Sequence, residues 1–219
     1  APRRVENFFD LAHFAWVHDG SLGSRERPVP PLPEIHRHGH ELRFRYDMPD
    51  FEPDDSAMYG ASRYRVSMPC TVEIDFLLAS GARRILWMTA SPLSATECRS
   101  FWFMSRDDDL DGDDPDRTDA DHMAFQQQVL DEDAPVVGSQ TPASFPLDPS
   151  EELSVHTDLV SNVYRRWMRE LVRAYVDDGA DAMFAAASLI EDATTAASDS
   201  SSHEPRTPSR AMSTMSAGE

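Results

Sequence analysis

The sequence predicts an α+β fold, and three observations carry that expectation. Residues 40–106 divide into short β-rich runs joined by tight turns, residues 159–178 place apolar side chains at helical spacing, and residues 3–18 form an apolar helical segment ahead of both. With 219 residues, 40% of them hydrophobic, the chain is long enough to bury one sizeable core.

The elements follow in order. In the opening stretch Val5, Phe8, Phe9, Leu11, Ala12, Phe14, Ala15, Trp16 and Val17 leave almost no solvated face, which predicts a buried helix over residues 3–18. GSLGSRERPVPPLP stops it. From His40 to Arg106 the runs HELRFRYDM, SRYRVSM, TVEIDFLLA, RRILWMTAS and CRSFWFMSR read as strands, and their short sequential connections predict an antiparallel meander. The acidic loop DDDLDGDDPDRTDAD then leads into a helical stretch, HMAFQQQVLDEDAPVVGSQ.

The next helix, LVSNVYRRWMRELVRAYVDD, gathers Leu159, Val160, Val163, Tyr164, Trp167, Met168, Leu171 and Val172 on one face. That leaves Arg165, Arg166 and Arg169 on the solvent side, where solvation is the default reading and docking of an acidic protein the alternative. A third helical pattern spans residues 181–192. Residues 193–219 have too little apolar area to offset their ordering entropy and are expected to form a disordered tail, so the globular domain is placed at residues 1–192.

A formal charge of −19 and a pI near 4.6 repel phosphate backbones, which argues against nucleic acid as a partner. No run approaches the roughly 20 apolar residues that cross a bilayer, and no signal-like start is seen, so the expected compartment is the cytoplasm, with no membrane partner. Cys70 and Cys98 lack CxxC or CxH spacing and read as buried thiols. GxSxG, Walker and GxGxxG motifs are all missing.

The chemistry concentrates in the opening segment, where Asn7, Asp10, His13 and His18 interrupt the apolar run. With His13 at 0° on an ideal helix, Asp10 falls at about 60°, Asn7 at about 120° and His18 at about 140°, so all four share one arc. Buried polar groups of this kind need partners or a metal. Five residues separate the histidines, about 7.5 Å along an ideal axis, so they meet at one ion only if the helix ends or is irregular between them. This spacing differs from the i, i+4 zinc pair. Two histidines joined by one carboxylate, with positions left open, mark non-haem Fe(II) oxygenases. Asp133, in VLDEDAPVV, is the candidate carboxylate, although any of the 39 acidic residues competes at this level.

Two other groups are weaker. His36, His38 and His40 alternate along an extended stretch and read as a solvated strand entry. Asp107, Asp109, Asp111 and Gly112 imitate half of a Ca2+ loop, but position twelve is Thr118 rather than Glu, so a solvated acidic loop is expected.

NxxDxxHxxxxH, with the local text ENFFDLAHFAWVH and the downstream blocks DEDAPVVGSQTP, FPLD and YRRWMRELV, resembles the catalytic domain of Rieske non-haem iron oxygenases. The likeness covers residues 3–175 and is closest to the vanillate O-demethylase oxygenase branch. It implies a helix-grip (START-like) fold, an antiparallel sheet curved around a long C-terminal helix. It implies His13, His18 and Asp133 as Fe(II) ligands, Asp10 as the bridge to a neighbouring subunit's Rieske cluster, and Asn7 beside the iron, with Asp131 and Glu132 as the other acids in register. It also implies a [2Fe-2S] cluster on a missing domain or partner chain, because this chain lacks the CxH and CxxH pairs. Expected partners are O2, an aromatic or similarly hydrophobic substrate, a ferredoxin or reductase, and two further copies in a homotrimer. The expected reaction is monooxygenation, often of a methyl group that leaves as formaldehyde. Phe14, Trp16, Trp87, Phe101, Trp102 and Phe103 are the aromatic candidates for the pocket. The alternative is a hydrophobic-ligand-binding module whose metal site is vestigial.

Overall fold

Alternation of apolar and polar residues builds one antiparallel sheet. The computed structural model describes residues 1–187 apart from 20, 24, 27, 48–60, 79, 109 and 111–117, together with 210–211 and 215–216. Six strands, β1 (Ile35–His38), β2 (Glu41–Asp47), β3 (Ala61–Ser67), β4 (Thr71–Leu77), β5 (Arg83–Pro92) and β6 (Cys98–Arg106), pair each with the next in chain order. Five of them match the predicted runs. β1 is the addition, a polar edge strand that pairs His36 with Arg43 and His38 with Glu41. Of residues 193–219 four are described, and they form β7 (Arg210–Ala211) and β8 (Met215–Ser216) against β6. The rest of the expected tail lies outside the described residues.

The period of two sends Phe44 and Tyr46, Tyr64 and Val66, Val72 and Ile74, Leu86 and Met88, and Trp102 and Met104 into one core. The helices cover that face. They are α1 (Pro2–Phe9), α2 (Phe14–Val17), α3 (Asp119–Gly138), α4 (Leu159–Asp178) and α5 (Ala180–Ala187). α4 presents Val160, Tyr164, Trp167 and Leu171 to the core at intervals of three and four, and the Phe9 ring of α1 meets Tyr164 edge-on at 5.4 Å. The fold is α+β, as expected. No helix among the described residues is long and apolar enough to cross a membrane.

Four details differ from the expectations. The segment 3–18 is not one helix: it breaks at Asp10, whose backbone is extended (φ −85°, ψ 92°) and whose side chain accepts the Ala12 N–H. A 3-10 turn, Leu11–His13, and α2 follow. Trp16 is then turned outward, 60% exposed, with Arg25 over its ring. Arg165 is buried rather than solvated: it pairs with Glu6 of α1 and with Glu152, which Arg3 also holds, and Arg169 donates to the Leu147 carbonyl. This network ties α1 to α4. Finally, Cys70 and Cys98 are half-buried free thiols rather than buried ones, while the predicted 181–192 helix is seen as α5 as far as the described residues reach.

Candidate metal centre

α2 is a single helical turn with a histidine at each end, His13 as its N-cap and His18 as its C-cap. The helix therefore ends at His18, the condition under which histidines five apart converge. Their Nε2 atoms lie 3.3 Å apart. Asp133 of α3 brings Oδ1 to 3.3 Å from His13 Nε2 and 3.0 Å from His18 Nε2. Among the described residues, this is the one group of His, Cys, Asp or Glu side chains placed to hold a metal ion.

The donor set fits Fe(II). Separations of 3.0–3.3 Å are those of three donors about 2.1 Å from one ion and about 90–105° apart, a facial arrangement that leaves other positions open. The proton chemistry agrees. Burial alone lowers the His13 pKa, but the carboxylates of Asp10 and Asp133 outweigh it and raise it to about 9. Burial would raise Asp133, yet His13, His18, Asn7 and Arg4 hold its carboxyl well below the ordinary range. The point where the three donors face one another is where a divalent cation would sit, displacing the proton that His13 otherwise carries.

Neighbours fix each of the three side chains. Asp133 keeps its second oxygen 3.3 Å from Arg4 Nη1, the Arg4 guanidinium lies over the Phe8 ring, and Asn7 is among the groups that lower the Asp133 pKa. Asp10, half-exposed, places Oδ2 3.7 Å from His13 Nδ1, an ionic contact too long for a hydrogen bond. Helix phase separates the three consecutive acids of α3. Asp131 faces solvent and accepts from Gln127, Asp133 faces inward, and Glu132 Oε2 lies 2.7 Å from His18 Nδ1. Arg4 escaped the sequence reading although it stands three residues before Asn7, hence on the same face of α1.

Phe8, Phe14 and Leu22 near the histidines, Ile74, Phe76, Leu86 and Met88 from the sheet, and Phe125, Gln126 and Leu130 from α3 enclose a cavity beside His13, His18 and Asp133. Its free volume is about 50 Å³, enough for a molecule the size of O2. Of the predicted aromatics only Phe14 lines this space. Trp87 and Phe103 stack on each other on the opposite sheet face, Trp102 is in the core, and Phe101 and Trp16 are exposed. A larger groove, about 750 Å³, lies among His36, Arg43, Arg63, Glu73 and Asp75, away from His13 and His18.

The weaker candidates do not assemble. His36 and His38 stay on β1, with Glu34 3.6 Å from His36. Thr118 is the N-cap of α3, while Asp109, Asp111 and Gly112 lie outside the described residues. Cys70 and Cys98 are free, and neither has the histidine spacing of a Rieske cluster.

Comparison with known proteins agrees with the fold. Residues 2–174 match the family model of the vanillate O-demethylase oxygenase C-terminal domain. The methylxanthine N3-demethylase NdmB of Pseudomonas putida is 37% identical over 182 residues, 81% of this chain and 48% of that protein. The methylxanthine N1-demethylase NdmA of the same species is 34% identical over 177 residues, 80% of this chain and 48% of the relative. The structure of Pseudomonas putida CBB5 NdmA with caffeine superposes with a TM-score of 0.76 at 32% identity, covering 89% of this chain and 55% of that one. The chain thus spans about half the length of these relatives. A matched segment that contains the whole histidine and aspartate constellation places this chain in the vanillate O-demethylase oxygenase C-terminal domain family of the Rieske oxygenases.

Proposed function

We propose that the chain is the iron-bearing catalytic half of an oxygenase that demethylates a small, flat, N- or O-methylated heteroaromatic compound. The observation that carries this reading is the convergence of His13, His18 and Asp133 on one point beside an apolar cavity. His13, His18 and Asp133 would hold Fe(II), which supplies the activation of O2. The apolar walls hold the substrate and exclude water, and the Gln126 amide offers a polar contact to a ring edge. The relatives' action on methylxanthines supports that substrate class. Asp10, half-exposed against His13, is the contact for the electron-donating Rieske partner.

Hydroxylation of a methyl group puts one atom of O2 into a C–H bond and releases the other as water, consuming two electrons and two protons. The hydroxymethyl group then departs as formaldehyde and leaves N–H or O–H. Hydrogen peroxide carries both the oxygen atom and the two electrons, so it tests the site without the missing donor. The Fe(II)-loaded chain, given peroxide and an N-methylxanthine, is expected to release formaldehyde, and His13→Ala is not. Equal release from both would assign the product to free iron and overturn the reading. Iron-independent ligand binding without turnover would favour the binding-module alternative.

A further inference from the structure

We propose that Glu132 is a positioning residue of the metal centre, holding the far side of the His18 ring so that Nε2 faces the ion without its proton. The inference rests on the iron reading above. Consecutive helical residues point about 100° apart, so Glu132 and Asp133 approach one imidazole from two directions. Asp133 Oδ1 lies 3.0 Å from Nε2, and Glu132 Oε2 lies 2.7 Å from Nδ1. An ionised carboxylate only accepts hydrogen bonds. The ring proton therefore belongs on Nδ1, which leaves the Nε2 lone pair for a metal.

Glu132 is itself held, since Gln128, one turn earlier in α3, donates Nε2–H to its Oε1 at 2.8 Å. The His18 ring is 1% exposed, and Glu132 is the acceptor that the fold places at its Nδ1. The two ligands consequently differ. His18 is fixed by a close carboxylate, whereas the nearest carboxylate to His13 Nδ1 is Asp10, at 3.7 Å. A carboxylate bonded to Nδ1–H makes the imidazole a stronger donor and favours the more highly charged ferric ion.

The test compares the wild-type chain with Glu132→Gln and Glu132→Ala. Fe(II) affinity is read by anaerobic competition with a chromophoric chelator, and the midpoint potential of the bound Fe(III)/Fe(II) couple by redox titration. Glu132→Ala is expected to weaken binding roughly 10- to 100-fold. Glu132→Gln, nearly the same shape with an acceptor oxygen but no charge, should lose less, and both potentials should rise. Wild-type affinity and potential in both variants would overturn the proposal. So would weaker binding at an unchanged potential, the signature of a structural prop. A wild-type chain that binds no Fe(II) would sink the iron reading as well, whereas binding by all three alike would sink only the role of Glu132.

Discussion

Asp131, Glu132 and Asp133 show what a residue's position in a helix decides. All three are acids in one short run, and the sequence alone left them as alternatives in register. Their directions from α3 then gave them separate surroundings: solvent, the Nδ1 side of His18, and the point where the histidines meet. Arg165 teaches the opposite lesson. Beside Arg166 and Arg169 it read as part of a solvated stripe, because nothing in its own helix signals that Glu6 and Glu152 face it from elsewhere in the fold. Removing it by Arg165→Ala leaves buried Glu6 with only the 3.8 Å contact to Arg3, and should cost about 3–5 kcal/mol in urea denaturation. The double variant Glu6→Leu, Arg165→Met should recover most of that loss, and equal stability of single and double variants would contradict the pairing.

At the scale of the element, the one-turn helix α2 joins sequence to site. A continuous helix over 3–18 was the expectation from apolar content, but Asp10 is a helix-capping residue type and takes the Ala12 N–H, which starts a new turn. The sequence did signal that some interruption was needed, since five-residue spacing does not otherwise bring two histidines together. The strands were legible because alternation under a single covered face leaves a strong pattern, and β1 was not, because an edge strand of His and Arg has no such pattern. The loop after α2 folds back so that the N–H groups of Ser21, Leu22 and Gly23 all reach the His18 carbonyl. A Cβ at Gly23 would come within 2.6 Å of the backbone of Phe14 and Ala15. Gly23→Ala should therefore push the loop from α2, destabilise the chain by about 1–3 kcal/mol and weaken Fe(II) binding. Unchanged stability and affinity would show that the loop does not brace the histidines.

At the scale of the whole molecule, an acidic chain holds its core with buried and half-buried arginine–carboxylate pairs. Hydrogen bonds from Arg3, then Arg165, hold the Glu152 carboxyl below its ordinary pKa. Burial raises that of Asp108, but Arg84 outweighs it and leaves it lowered. A carboxyl whose folded pKa is lowered contributes stability above its unfolded pKa, near 4, and loses it as pH falls through the folded value. The melting temperature of the metal-free chain should therefore fall between about pH 5 and pH 3, and a flat or rising profile would contradict these pairings. The central claim is that His13, His18 and Asp133 form one iron site. Anaerobic equilibrium dialysis against Fe(II) tests it most directly: the account predicts one tightly held iron per wild-type chain and none in His13→Ala, His18→Ala or Asp133→Ala, while equal iron in all four would contradict it.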